Sequence, residues 1–287
     1  MSVGQLAAKR VPTAARRLAG HDPVVVAAVV VIAIVALMAI GGRWLAPYPP
    51  DRLHAGPVNG ASSLAHLFGT DDLGRDILSR VLAGAAASVT MPVIVVLLST
   101  TLGMSLAITA AWLGGVTRGA ISRLIDVIFA IPGLVLAVLA VAMFGKGLVA
   151  PVVALSIAYI PVVARLTQSA ASRELGRPYI AALRVQGVSS IAICFRHLIP
   201  ALIPVVAAQA TVGFGYAMLD LAAISFLGLG AQPPAADWGS MIAGGQAAIL
   251  SGAPEQSLFP ALLIVITVLA VGIVGARATT WAEEKER

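Results

Sequence analysis

Charged residues are scarce in this sequence: Asp, Glu, Lys and Arg make up only 11% of its 287 residues, while hydrophobic residues make up 59%. Soluble domains carry about 25% charged residues, so this chain has too little polar surface to keep a globule of its size in water. A single cysteine excludes a disulfide framework and a site built from several cysteines. Neither H-E-x-x-H nor G-x-S-x-G occurs, and no catalytic residues are assigned. A soluble enzyme is excluded, and an integral membrane protein is predicted.

The net charge of +6 would suggest a nucleic-acid partner in a soluble protein. Here the basic residues flank long uncharged segments, as membrane topology requires. We therefore predict a lipid bilayer as the environment and no nucleic-acid partner.

Six long uncharged segments are each able to cross the hydrocarbon core, which takes about 20 apolar residues. A seventh uncharged segment, 221–236, contains two glycines and two prolines, which disfavour a simple helix. We expect a helix end there, followed by a loop that dips into the membrane. The predicted fold class is an all-α integral membrane protein with six transmembrane helices. The six segments are 23–40, 89–112, 127–145, 147–164, 198–219 and 256–276.

The distribution of basic residues orients these spans. With the N-terminus inside, fourteen of the nineteen Lys and Arg residues face the cytoplasm and five face outward. Both termini are therefore predicted to be cytoplasmic, in a multi-pass protein of the plasma (inner) membrane. A cleaved signal peptide is the alternative for the first span, but residues 41–44 offer no clean small-x-small cleavage site.

This topology divides the chain into tails, loops and a membrane core. In chain order, the predicted segments are a cytoplasmic tail at 1–22, the first transmembrane helix at 23–41, an extracytoplasmic loop at 42–87, a five-helix core at 88–276 that includes a cytoplasmic loop at 165–197 and an outer loop at 221–255, and a cytoplasmic tail at 277–287.

The cytoplasmic loop, 165–197, has the pattern of two short helices separated by a turn. Pro178 precedes a run of helix formers, where its missing N–H costs little. Gly187 permits a left-handed turn, and Ser189 or Ser190 is suited to cap the second helix. A helix across the cytoplasmic face suits docking to another protein, and an ordinary connecting loop is the alternative.

This loop resembles the cytoplasmic motif E-A-A-x3-G-x9-I-x-L-P of bacterial ABC importer permeases. Gly187 and Pro200 have the spacing of the motif, and Ala182 occupies its middle alanine. The match is incomplete, because Ala181 stands at the glutamate position and His197 at the isoleucine position.

Three further segments resemble the dipeptide, oligopeptide and nickel branch of that family. Residues 68–80 contain G-T-D-x-x-G-R-D, and residues 123–132 resemble the start of the third span. Residues 225–239 follow the pattern S-F-L-G-L-G-x-Q-P-P-x-x-x-W-G. Together the motifs indicate similarity to the C-type, or second, permease subunit of this branch, with the type I ABC importer permease fold.

The resemblance implies a complex with a second (B-type) permease, one or two cytoplasmic ABC ATPases and an extracytoplasmic substrate-binding protein. The chain has no phosphate-binding G-x-x-x-x-G-K-[ST] loop, so ATP and Mg are expected in the partner subunits and no cofactor in this chain. A coupling helix in the cytoplasmic loop would dock in a groove of an ATPase. Because Ala181 stands at the glutamate position of the motif, a salt bridge between this loop and the ATPase would need Glu174 or Arg184 in place of that glutamate. The residues assigned to this coupling loop are Tyr179, Ala181, Ala182, Arg184, Gly187, His197 and Pro200.

Two polar residues of the fifth span are candidates for the translocation pathway. Ionisable groups inside a bilayer are costly and commonly functional. Asp220 either lines the passage, where it would meet a peptide amino terminus or a cation, or lies at the outer headgroup level. Gln209 either lines the pathway or forms a hydrogen bond between helices. On the third span, Asp126 follows Arg123 by about one helical turn, which predicts a structural ion pair.

The extracytoplasmic loop 42–87 contains four charged residues within its G-T-D-x-x-G-R-D segment. Asp71, Asp72, Arg75 and Asp76 either contact the binding protein or brace their own loop through internal ion pairs. The four histidines are scattered along the chain, and no metal site is predicted.

The predicted function is therefore a permease subunit of an ATP-driven importer, forming half of the pathway for di- or oligopeptides. Nickel or another small solute is the alternative cargo. An ion-coupled secondary transporter is the remaining hypothesis. That class often shows repeats with broken helices at matching positions, and this chain shows one broken segment, near 228–234.

Overall fold

A computed structural model describes residues 22–285, with side chains to residue 278, and this part of the chain contains helices and no β-strand. The predicted all-α class is confirmed. Of the predicted N-terminal tail, only Asp22 lies within the described residues. The helices are α1 (Pro23–Leu45), α2 (Ile77–Leu113), α3 (Gly115–Phe129), α4 (Gly133–Phe144), α5 (Val149–Leu175), α6 (Pro178–Val185), α7 (Ser190–Ile193), α8 (Ile199–Phe226), α9 (Trp238–Gly244), α10 (Gln246–Leu250) and α11 (Glu255–Lys285), with a π-helical turn at Cys194–Leu198.

Five helical segments are long and apolar enough to cross a bilayer: α1, α2, α5, the continuous segment Ser190–Phe226, and α11. Helices α3 and α4 form a sixth as a pair, but they are bent by 77° at a short break. The break falls at Pro132, which lacks an N–H and disfavours helical backbone at the residue before it. The arrangement agrees with six passes when this bent pair is counted as one span, and the predicted third span, 127–145, falls on the pair rather than on one continuous helix.

On the side predicted to be outer, the helices extend beyond the uncharged segments. Helix α1 ends at Leu45 rather than at 41, and α2 begins at Ile77, inside the expected loop 42–87. Helix α8 continues to Phe226, and the expected outer loop 221–255 also contains α9 and α10. The 37 residues of α2 span about 55 Å at 1.5 Å per residue, well beyond a core about 30 Å thick. The uncharged segments therefore indicated where the apolar helices lie but not where those helices end.

On the side predicted to be inner, the helices also extend beyond the uncharged segments. Helix α5 continues to Leu175, so the first third of the expected loop 165–197 is helical. Helix α11 continues to Lys285, through most of the expected tail 277–287.

Helix α2 is the central helix of the bundle, since it packs against α5 along much of its length and also contacts α1 and α8. Buried side chains form three clusters within the bundle. Their main members are Ile77, Val81, Phe214 and Trp238, then Val95, Leu155 and Ile224, then Ala171, Leu198 and Leu202.

Candidate functional site

Helix α6 connects the inner end of α5 to the segment that leads into α8. Pro178 is its first residue, and Gly187, just beyond its end, has a φ of +78°, which residues with a Cβ rarely adopt. The Ser189 hydroxyl accepts a hydrogen bond from the Ala192 N–H at 3.3 Å and caps α7. The predicted pair of short helices with a turn between them is confirmed. The second helix is only one turn long and passes through the π-helical turn into α8.

Glu174, near the end of α5, holds α6 in place. Its carboxylate accepts a hydrogen bond from the Tyr179 hydroxyl at 2.6 Å and lies 3.1 Å from Nε of Arg177. Desolvation and this hydrogen bond raise the pKa of Tyr179 to about 12, so the phenol keeps its proton at neutral pH. Ile180 is fully buried. Glu174 thus attaches the start of α6 to α5 through an ion pair with its N-cap residue Arg177 and a hydrogen bond from Tyr179.

Two further residues assigned to the coupling loop contact aromatic rings. The guanidinium of Arg184 lies 5.3 Å from the ring centroid of Trp112 at the end of α2, within cation–π distance. The His197 ring lies 6.1 Å from the Tyr179 ring, centroid to centroid. Trp112 was missed by sequence reasoning because no local pattern connects it with the loop.

One face of α6 is uncovered by the rest of the chain described here. Ala181, Ala182 and Val185 are exposed, with Val185 at 90%, and their spacing of three and four residues places them on one side of the helix. Where the family motif has a glutamate, this face therefore presents the methyl group of Ala181. Pro200 is also exposed, at the start of α8.

Gln209 and Asp220 line the same groove, which lies between α2, α5 and α8 and has a volume of about 270 Å³. The Tyr159 hydroxyl donates a hydrogen bond to Asp220 at 2.7 Å. Tyr216, about one turn before Asp220 on α8, and Thr100 also line the groove. Sequence reasoning missed both tyrosines. The spacing of four residues to Asp220 was the available signal for Tyr216, whereas Tyr159 had none.

Tyr159 lies about 15 Å from the first residue of α5, at 1.5 Å per residue. Asp220 lies six residues before the end of α8, about 9 Å from it. The Tyr159–Asp220 hydrogen bond therefore joins α5 and α8 across the groove, and both the pathway assignment of Asp220 and the headgroup alternative stay predictions.

Asp71 lies at the centre of an ion-pair network between α1 and α2, in the segment predicted as loop 42–87. It is fully buried, and its Oδ2 lies 2.6 Å from Nε of Arg75 and 3.5 Å from Nε of Arg80. Its Oδ1 accepts hydrogen bonds from the backbone N–H groups of Leu73 and Arg75. Both carboxylate oxygens of Asp71 are therefore bonded to groups within this segment. For Asp71 and Arg75 this agrees with the prediction that they brace their own loop through internal ion pairs.

Asp76 and Asp72 differ in where their carboxylates lie. Asp76 is buried, caps α2 by accepting hydrogen bonds from Ser79, and lies 2.9 Å from Nδ1 of His66. Asp72 is exposed, with a 3.7 Å contact to Arg75. Within this group only Asp72 presents a carboxylate at the surface, and contact with a binding protein stays a prediction.

Asp126 pairs with Arg165 of α5 at 2.6 Å, so the predicted pair with Arg123 was wrong. Arg165 also lies over the ring of Phe129 at 4.6 Å. The local spacing allowed a pair within α3, but the contact between α3 and α5 brings a better placed guanidinium to the carboxylate.

Residues 99–287 match the family described as binding-protein-dependent transport system inner membrane component. The matched range includes α6 and most of the groove. The chain belongs to this family of ABC importer permeases. The permease is therefore a multi-pass inner-membrane protein and a transport component rather than an enzyme.

Curated relatives match almost the whole permease. It is 37% identical over 261 residues to the glutathione transport system permease protein GsiD of Escherichia coli O157:H7, a match that covers 91% of the permease and 86% of that protein. It is 36% identical to GsiD of Shigella dysenteriae serotype 1, with the same coverage.

Two solved structures share the fold. A chain of the MetNI methionine ABC transporter in an inward-facing conformation has a TM-score of 0.56 at 20% identity, covering 70% of the permease and 95% of that chain. A chain of an amino acid ABC transporter with histidines has a TM-score of 0.51 at 19% identity, covering 72% and 94%. The predicted importer permease fold is confirmed.

Proposed function

We propose that the permease is a C-type subunit of an importer for di- or oligopeptides and forms one half of its translocation pathway. The observation that carries the proposal is the 37% identity to glutathione transport permeases over 91% of the chain, since glutathione is itself a small peptide. A B-type permease would supply the other half of the pathway, and an extracytoplasmic binding protein would deliver the peptide. Both termini would lie in the cytoplasm, as the distribution of basic residues favours.

The geometry of α6 supports a role in coupling. Its exposed apolar face, formed by Ala181, Ala182 and Val185, would dock in an ATPase subunit. Glu174 ties α6 to α5, and Arg184 contacts α2 through Trp112. A displacement of α6 would therefore move α5 and α2, which both line the groove.

This route needs no salt bridge at the motif glutamate position. Glu174, one of the two substitutes considered for that glutamate, braces α6 from within the permease instead of pairing with the ATPase. ATP and Mg would be bound by one or two kinds of ATPase subunit, and this chain would bind no cofactor.

Transport by the reconstituted complex tests the proposal. The permease, purified by a C-terminal tag, is expected to retain a second permease and ATPase subunits, identified by mass spectrometry. In proteoliposomes with the binding protein, this complex is expected to take up labelled dialanine or glutathione only when ATP is supplied to the ATPase side. Complex without binding protein is the control.

Three results would contradict this account. Uptake of nickel without peptide uptake would favour the alternative cargo. Uptake driven by an ion gradient without ATP would favour a secondary transporter. Recovery of the permease alone in several mild detergents would oppose the subunit role itself.

A further inference from the structure

We infer that Asp220 and the two tyrosines beside it form a recognition site, inside the membrane, for the ammonium group of the transported peptide. The inference rests on the proposed peptide import and adds the chemical group that the pathway recognises. It starts from the charge of the groove between α2, α5 and α8.

Among the described residues, the Asp220 carboxyl group has one side-chain hydrogen-bond partner. Its Oδ2 accepts a hydrogen bond from the Tyr159 hydroxyl at 2.7 Å. Within the part of the chain whose side chains are described, no Lys, Arg or His forms an ion pair with it. An acidic group inside a bilayer is costly, and such groups face a protein interior or a water-filled cavity. Among these residues, the groove therefore contains an acidic group without a counter-ion of its own.

The other lining residues suit an organic cation. Tyr159 and Tyr216 place aromatic rings beside the carboxylate, and ring faces attract ammonium groups. Gln209 and Thr100 offer oxygen atoms that accept hydrogen bonds. Among the described residues that line the groove none is basic, so a ligand carboxylate would find no cationic partner among them.

The size and donor set distinguish an ammonium group from other cargo. The groove volume of about 270 Å³ is near the lower end for pockets that enclose whole drug-sized ligands, so it fits the amino-terminal end of a peptide. Among the described residues no three His, Cys, Asp or Glu side chains are grouped to hold a metal ion. The site is also open, since Tyr216 is 63% exposed, which allows a ligand to enter and leave.

Charge selectivity of the groove is tested by cysteine labelling in the complex with its partner subunits. Tyr216→Cys is introduced with Cys194→Ala, which removes the single native cysteine. The cationic trimethylammonium-ethyl methanethiosulfonate is expected to react about tenfold or more faster than the anionic sulfonatoethyl reagent, since a charged cleft raises the encounter rate of counter-ions by that order. Adding Asp220→Asn is expected to abolish this preference, and Asp220→Glu to keep it. No reaction with either reagent, or a preference unchanged by Asp220→Asn, would overturn the inference.

Uptake of labelled dialanine by the reconstituted complex gives the functional test. Asp220→Asn is expected to lower uptake about tenfold while ATP hydrolysis stimulated by the binding protein continues. Asp126→Asn is the matched control, since it makes the same change outside the groove, and it is expected to keep uptake. Wild-type uptake of dialanine with no loss in Asp220→Asn would refute the ammonium site alone. Failure of the wild-type complex to import any peptide would refute the proposed function, and the labelling preference would still report the charge of the groove.

Discussion

Replacing Asp71 by alanine is expected to destabilise the loop between α1 and α2 by about 3–5 kcal/mol, the cost of removing one partner from a buried ion pair. The change would leave Arg75 and Arg80, which are largely buried, without their closest carboxylate. It would also remove the hydrogen-bond acceptor of the Leu73 and Arg75 backbone N–H groups, which now donate to Asp71. Hydrogen exchange of residues 69–76 in the detergent-purified protein measures this effect, and it is expected to accelerate strongly.

Asp72→Ala is the matched control for this change. Asp72 is the neighbouring carboxylate, its side chain is half-exposed, and its contact with Arg75 is 3.7 Å long, so its loss is expected to cost about 0–1 kcal/mol. Equal exchange rates in the two variants would contradict a central role for Asp71 in the loop.

Trp238→Ala is expected to destabilise the bundle by about 3–5 kcal/mol, as truncation of a buried aromatic side chain does. Trp238 is fully buried against Ile77 and Val81. Its indole N–H donates to the Val81 carbonyl at 3.0 Å, and its backbone N–H donates to Ser88 at 2.8 Å. The residue thereby attaches α9 to the outer half of α2. Thermal unfolding in detergent measures the loss.

Trp44→Ala serves as the control, since Trp44 is 84% exposed at the end of α1 and a change there is expected to stay within about 0.5 kcal/mol. Trp238→Phe is expected to fall between the two, because it keeps an aromatic ring but loses the indole N–H hydrogen bond to the Val81 carbonyl. A melting temperature for Trp238→Ala close to that of Trp44→Ala would contradict the attachment of α9 to α2.

Close packing near Trp238 explains part of the motif at 225–239. A Cβ on Gly239 would overlap the carbonyl of Ala222, so α9 approaches α8 at a distance that only glycine permits. The motif was recognised in the sequence as a string of residues, but the reason for its glycine is visible only where two helices meet.

Sequence reasoning succeeded where the physical cause is local or averages over many residues. Long uncharged segments correctly indicated five helices able to span a bilayer, and they agree with a sixth pass formed by α3 and α4, because excluding charge from hydrocarbon is a strong constraint. Pro178, Gly187 and Ser189 correctly indicated the turn around α6, since each acts on backbone within a few residues.

The predictions that failed depend on causes that are not local in the sequence. The predicted helix ends were misplaced because the helices continue past the uncharged segments. The bend at Pro132 was not predicted, although the proline itself is visible in the sequence. The partner of Asp126 and the partner of Asp220 come from another helix: Arg165 lies 39 residues from Asp126, and Tyr159 lies 61 residues from Asp220. No local spacing contains that information.

The central claim is that the permease works with ATPase subunits that bind the exposed face of α6, and a comparison of two exposed valines tests it most directly. Val185 on α6 and Val116 near the start of α3 are each 90% exposed, so aspartate at either position leaves the fold intact. The tagged wild type, Val185→Asp and Val116→Asp are purified in parallel, and the bound ATPase and second permease are quantified by mass spectrometry. We expect Val185→Asp to lose the ATPase and keep the second permease, and Val116→Asp to keep both. Full retention of the ATPase by Val185→Asp would contradict the account.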